Sequence, residues 1–233
     1  MPIINIPKSV IPACDVADIA LFEKIVEETK DIEKIGGYKI GFELALRFGL
    51  PKLVEIAREH TDKPIIYDHQ KAGTDIPDMA NNFAETCKAS GIDAVILFPQ
   101  AGPETEKAWI KAAQAAGLGV IVGGEMTHPA YLESDSGYIM NEAPKRMYSI
   151  AASLGVKDFV VPGNKPEKIK FYRQMIESMD IKPVFYSPGL VAQGGKISES
   201  TKEAGQSWHA IIGRGIYKAE NIKEAALELT KEL

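Results

Sequence analysis

Short apolar runs recur along this chain, with room for one helix between each and the next. They lie at Val10–Asp15, Tyr38–Phe42, Pro64–Asp68, Asp93–Phe98, Gly119–Met126, Asp158–Pro162, Pro183–Ser187 and Ala210–Gly213. Val and Ile dominate them, as in strands buried on both faces of a parallel sheet. Most intervals fall somewhat under ~30 residues, about one strand-and-helix unit of a ~250-residue barrel. The step from Met126 to Asp158 is longer.

The segments between the runs carry helical period. In ADIALFEKIVEETKD, which starts at Ala17, residues Ile19, Leu21, Phe22, Ile25 and Val26 keep the three-and-four spacing of one helix face. PDMANNFAETCKASG ends in Gly91, suited to a helix C-terminus. ETEKAWIKAAQAAG, EAPKRMYSIAASLG and PEKIKFYRQMIESM share the form. Strand followed by amphipathic helix is the unit of a parallel α/β sheet, and eight such units predict a closed (β/α)8 TIM barrel. An open doubly wound sheet is the alternative. The even rhythm, the count of eight and the lack of GxGxxG after the first run favour the barrel. With no Pro/Gly/Ser linker and no low-complexity tract, residues 1–233 are expected to form a single (β/α)8 barrel domain.

Composition removes several classes. Net charge is −5, and no basic stripe with interleaved aromatics appears, so no nucleic-acid partner is expected. The start, MPIINIPKSVIPACD, lacks a basic segment followed by a long apolar run, so no signal peptide is expected. The apolar runs are too short to span a bilayer, which excludes a membrane role. Cys14 and Cys87 make neither a metal spacing nor a disulfide framework and read as reduced thiols of a cytoplasmic protein. The four histidines show no HExxH and no clear metal spacing, so any charge chemistry is expected to work without a metal.

In such a barrel the chemistry lies at the C-terminal strand ends. Those positions hold Asp15 after strand one, Lys39 on strand two, and Asp68, Lys71 and Asp75 at and beyond strand three. Strand five ends in Glu125, Met126, Thr127 and His128; strand seven runs into SPGLVAQGGK; strand eight into IIGRGIY. Each has an ordinary reading. Asp15 could cap a helix, Lys39 could reach solvent, and Thr74 or Asp75 could start the helix after TDIP. The functional reading rests on their convergence. Gly189, Gly194, Gly195 and Gly213 let backbone N–H groups approach phosphate oxygens, Arg214 can hold them bidentately, and Gln193 adds a donor and an acceptor. A phosphorylated small molecule is the expected ligand. Opposite it, Lys39, Asp68, Lys71 and Asp75 alternate in sign. An anion pressed against a carboxylate is destabilised; if it departs as a neutral molecule, a neighbouring ammonium can stabilise and then protonate the carbanion left behind.

The lysine in YKIGFEL, the acid–lysine–acid run with DIP, and EMTHP, PGLVAQGG and IIGRGIY together resemble orotidine 5′-phosphate decarboxylase, from Asp15 to Tyr217. The resemblance implies cofactor-free decarboxylation of orotidine 5′-phosphate to uridine 5′-phosphate, the last step of pyrimidine nucleotide synthesis. It implies a homodimer with sites at the interface. It makes Lys71 the proton donor to C6 and sets Asp68 against the substrate carboxylate. Lys39 and Asp15 go to ribose hydroxyls, Asp75 to the partner's site, and Thr127 to the pyrimidine edge, where the family more often has serine. Gln193 links phosphate and base, and Arg214 with neighbouring amides holds the phosphate. The chain departs at strand three: D-H-Q-K-A-G-T-D replaces D-x-K-x-x-D, with one extra residue on each side of the lysine. An extra strand residue reverses a side chain's face, so a local bulge is expected, with Gly73 absorbing the second insertion and His69 and Gln70 as bystanders. Two other readings stay open. One is a magnesium-dependent sugar-phosphate decarboxylase or aldolase of the same superfamily, which would carry an acid where Lys39 stands. The other is a non-catalytic barrel that binds a phosphonucleotide.

Overall fold

A computed structural model describes residues 2–69 and 74–233. Eight parallel strands pair in sequence order and close into a barrel, β1 returning to β8. They are β1 (Lys8–Cys14), β2 (Tyr38–Ile40), β3 (Ile65–Asp68), β4 (Ala94–Leu97), β5 (Gly119–Gly123), β6 (Asp158–Val160), β7 (Val184–Ser187) and β8 (Trp208–Ile212). Around them run α1 (Ile19–Thr29), α2 (Phe42–Phe48), α3 (Leu50–His60), α4 (Ala80–Ala89), α5 (Pro103–Ala115), α6 (Ala143–Ser153), α7 (Pro166–Glu177), α8 (Ile197–Ala204), α9 (Arg214–Tyr217) and α10 (Ile222–Lys231).

Strand side chains alternate faces, which splits the core in two. Outward residues such as Val10, Tyr38, Ile65, Val95, Val122, Phe159, Phe185 and Trp208 join the helices in one large cluster. Inward residues Ile11, Ile66, Ile96, Ile121, Val160, Tyr186 and Ile211 fill the barrel. Above that apolar layer the same alternation brings Lys39 and Asp68 inward, both nearly fully buried. Below it the floor is polar: Ser9 Oγ meets His209 Nδ1 at 2.8 Å, and Tyr186 donates to Asp158 at 2.9 Å.

All eight expected strands are present; β3 and β7 end where expected, at Asp68 and Ser187, and the other six end earlier. Asp15, Phe42, Met126, Pro162 and Gly213 lie beyond the ladders, and Phe42 opens α2 instead. Hydrophobic identity continues past the last ladder hydrogen bond, so composition overruns the true strand end. β8 starts two residues before its expected Ala210, at Trp208, whose indole N–H donates to Ser187 Oγ. Asp15 is not a helix cap, because Asp18 performs that role for α1 by accepting from Ala20 N. The long interval after β5 holds a loop pinned by a Leu132–Ile139 bridge and a 3₁₀ turn at Glu133–Asp135 before α6 begins. Cys14 and Cys87 are buried and free, and burial pushes the Cys87 thiol up to about 12. Among the described residues no helix is long and apolar enough to cross a membrane.

The floor gives a pH signature. Burial depresses His209 to about 3, so the fold holds it neutral while the unfolded chain protonates near 6.5. Its contribution to stability is complete above the unfolded value and is lost as pH falls from there toward 3. Burial raises Asp158 to about 6, which acts in the opposite direction between roughly pH 4 and 6. Relative to wild type, His209→Gln is therefore expected to gain stability steadily as pH drops through the window below 6.5. Urea unfolding of both proteins across that range measures it; a pH-independent difference contradicts the assignment.

Candidate active site

β2 is three residues long, and its alternation sends Tyr38 and Ile40 out and Lys39 in. The Lys39 ammonium donates to Asp68 Oδ2 at 2.7 Å, at the end of β3, and to Asp15 Oδ1 at 2.8 Å, just beyond β1. Register places these residues side by side, with Ala13 opposite Lys39 and Lys39 opposite Ile66. Asp15 reaches the ammonium because residue 41 has no side chain: a Cβ there would sit 2.2 Å from Asp15 Oδ1. Burial alone would drive the ammonium toward neutrality. The Asp68 and Asp15 charges, with the hydrogen bonds they accept, more than reverse this and hold Lys39 well above the ordinary lysine value.

These three residues form the base of a cavity of about 370 Å³, within the ~300–1,000 Å³ range of small-molecule sites. Its walls bring in Thr127, Gln193, Gly213 and Arg214, with Phe98 and Tyr217 as aromatic surfaces. One side is therefore strongly charged, with Lys39 and Asp68 buried and Asp15 partly exposed, while Gln193 and Arg214 sit exposed at the rim. Burial and then the nearby Asp15 charge raise the Tyr217 phenol, which keeps it neutral as a wall residue.

The rim follows from the loop after β7. Val191 N donates to Gly195 O at 2.8 Å and Gly194 N to Val191 O at 3.1 Å, while Gly195 N donates to Gly189 O at 3.2 Å. Gly189 holds φ at +91° and lies against Thr127, where a Cβ would approach Cγ2 to 2.7 Å. Gly189 and Gly213 line the cavity; Gly194 and Gly195 close the loop behind it, their amides committed within the loop.

Of the other expected site residues, Lys71 lies outside the described residues, as do Gln70 and Gly73 and the bulge expected there. Asp75 is exposed, is not part of this cavity, and accepts a hydrogen bond from Ile76 N at 2.7 Å. It does not cap a long helix; a 3₁₀ turn at Pro77–Met79 intervenes before α4. His69 points away from the cavity. It bonds the Tyr67 hydroxyl at 3.1 Å and packs on Phe83 and Trp109, and burial lowers its pKa.

Sequence reasoning named Glu125 but not its partners. Glu125 is buried, accepts from Tyr172 Oη at 2.5 Å and pairs with Lys165 at 2.9 Å. Phe98 was also missed as a wall; its signal is Gly123 on the neighbouring strand β5, where a Cβ would overlap the ring.

Fold and site together define a (β/α)8 barrel enzyme scaffold with a lysine–carboxylate array facing an arginine- and glutamine-edged rim. The chain belongs to the Orotidine 5′-phosphate decarboxylase / HUMPS family, whose model matches residues 8–229. It is 34% identical to orotidine 5′-phosphate decarboxylase of Methanosarcina mazei over 221 residues, covering 95% of this chain and 93% of that protein. It is 31% identical to the enzyme of Pyrococcus abyssi over 224 residues, covering 96% and 98%. A crystal structure of orotidine 5′-monophosphate decarboxylase from Methanocaldococcus jannaschii, complexed with the inhibitor BMP, superposes with a TM-score of 0.83 at 28% identity, covering 97% of this chain and 98% of that one.

The contact between residue 41 and Asp15 is open to test. Gly41 has an ordinary φ of −87°, so Gly41→Ala adds no backbone strain and acts only by displacing the Asp15 carboxylate. It is expected to cost about 1–3 kcal/mol in urea unfolding, the usual cost of overpacking. Unchanged stability would show that Asp15 is not held against Lys39.

Proposed function

We propose that this chain decarboxylates orotidine 5′-phosphate to uridine 5′-phosphate without a cofactor, at the close of pyrimidine nucleotide synthesis. The observation that carries the reading is the Lys39 ammonium fixed between Asp15 and Asp68 in the cavity that Gln193 and Arg214 border. In this reading Arg214 and the neighbouring amides hold the phosphate, Gln193 bridges phosphate and base, and Thr127 meets the pyrimidine edge. Asp15 and Lys39 take the ribose hydroxyls. The substrate carboxylate lies against Asp68, which Lys39 already holds in position. Loss of neutral carbon dioxide removes that repulsion, and Lys71 protonates C6. The repulsion exists in the ground state and vanishes along the reaction, so it acts on the barrier and not on binding alone. Phosphate and ribose contacts, remote from C6, supply the energy that holds the two anions together.

Lys39 also weighs against the metal-dependent reading. Its ammonium occupies the space between two carboxylates that a divalent cation would need. The deciding assay follows orotidine 5′-phosphate by ultraviolet absorbance in the presence of a chelator. Turnover is expected to persist, and Lys71→Ala is expected to abolish it while uridine 5′-phosphate still binds. Turnover lost to the chelator would favour the magnesium enzyme, and turnover surviving in Lys71→Ala would remove the assigned proton donor. Nucleotide binding with no wild-type turnover would leave the non-catalytic barrel.

The same reading takes residues 1–233 as one domain of a cytoplasmic homodimer, with Asp75 serving the partner's site. Its support is that Asp75 is exposed and outside the cavity of its own subunit. Hybrid dimers test this. If each site uses its own Lys71 and the partner's Asp75, a dimer of Lys71→Ala with Asp75→Asn has one intact site. Mixing the two inactive variants under exchange conditions should then restore about a quarter of wild-type activity, the statistical share of such sites. No recovery from verified hybrids would place Asp75 elsewhere.

A further inference from the structure

The turn between β6 and α7, Pro162–Gly163–Asn164–Lys165, lines none of the cavity, yet it holds both sides of it. Toward β5, Lys165 Nζ donates to Glu125 Oε1 at 2.9 Å and to Met126 O at 3.2 Å, and Asn164 Nδ2 donates to Thr127 O at 3.1 Å. Tyr172 on α7 donates to the second Glu125 oxygen. Burial, then Tyr148 and the Glu125 carboxylate, keep that phenol protonated and therefore a donor. Glu125, Met126 and Thr127 are thus fixed residue by residue from this one turn.

Toward β7, Gly163 N donates to Pro188 O at 2.8 Å, and Ser200 Oγ donates to Gly163 O at 2.7 Å. Gly195 lies so close that a Cβ on it would sit 2.9 Å from Gly163 O and 3.0 Å from Asn164 Cα. Gly189 is the meeting point: a Cβ there would be 2.7 Å from the Thr127 methyl and 3.3 Å from Asn164 Oδ1. That same Oδ1 is buried and, among the described residues, accepts no hydrogen bond. A buried acceptor left without a donor is costly. It lies against a loop whose Val191 holds φ at +59°, an unfavourable conformation for a β-branched residue.

We propose that Asn164 is a positioning residue that locks Thr127 and the 189–195 loop into one unit, so that grip on the ligand's phosphate sets the hydroxyl at the base edge. The inference rests on the reading of this cavity as a pyrimidine nucleotide site. Asn164 touches neither end of the ligand. It acts through the donor on Thr127 O and through its packing beside Gly189. Coupling of this kind runs through packed groups and hydrogen bonds that move together.

Two variants separate positioning from space filling. Asn164→Asp keeps the shape but replaces the Nδ2 donor with an acceptor, and Asn164→Ala removes both. Both are expected to lower kcat for orotidine 5′-phosphate roughly tenfold, the scale of such couplings. Affinity for ribose 5-phosphate, which reads the phosphate end alone, should stay within about twofold. The extra affinity of uridine 5′-phosphate over ribose 5-phosphate should shrink in both. Thr127→Ser, which keeps the hydroxyl but removes the methyl against Gly189, should move the same ratio in the same direction. Wild-type kinetics in Asn164→Asp, or a parallel fall in ribose 5-phosphate affinity, overturns the proposal. If wild type has no turnover, the decarboxylase reading fails and the affinity ratio alone decides, an unchanged ratio in both Asn164 variants overturning this inference.

Discussion

One ammonium buried between two carboxylates organises this molecule. A lysine taken out of water favours its neutral form and would not stay charged alone on an apolar strand. Asp15 and Asp68 at 2.8 and 2.7 Å hold Lys39 above the ordinary lysine value, and Lys39 in turn gives both acids a cationic partner at the base of a cavity. The pair distances alone do not make the array useful. In the reaction proposed above, partners fixed before any ligand arrives provide a field that needs no reorganisation when charge moves in the substrate.

The barrel supplies that fixity through a layered interior. Its floor is polar and internally bonded through Ser9, His209, Tyr186 and Asp158; its middle is aliphatic; its top is ionic. Each layer comes from the same two-residue alternation carried around eight strands. The aliphatic layer isolates the charges from the opposite solvent face. Parallel pairing sets Lys39 opposite Ile66, two residues before Asp68 on the adjacent strand, so the long lysine side chain meets the carboxylate at the strand end. Loops finish the site, and here the molecule relies on close approach: residue 41 must lack a side chain for Asp15 to arrive, and residue 189 for Thr127 to lie against the rim loop.

The layered barrel was legible because buried parallel strands are β-branched runs and the intervals fit one helix each. Asp15, Lys39, Asp68, Thr127, Gln193 and Arg214 were legible as one site because strand order alone carries strand ends to a common face. Local boundaries were less so. Phe42 and Met126 continue the apolar runs, but the hydrogen-bond ladders stop before them. The pair α2 and α3 went unread between β2 and β3, where Gly49 and Pro51 break one amphipathic pattern into two short helices. The floor was hidden because Ser9 and His209 lie just before the apolar runs and Asp158 at the start of one, and alternation alone turns them inward together. Glu125's grip by Lys165 and Tyr172 was hidden for another reason. Those partners come from 40 and 47 residues away, on a turn and a helix with no motif of their own.

The central claim is that Lys39 stays an ammonium because two carboxylates outweigh its burial. The direct measurement is the ¹⁵N shift of Lys39 Nζ in the ligand-free protein, followed upward in pH against exposed lysines of the same chain. The account predicts that Lys39 remains protonated at pH ~10.4, where an ordinary lysine is half neutral. Titration of Lys39 at or below that value would show that desolvation wins and that the array is not preassembled.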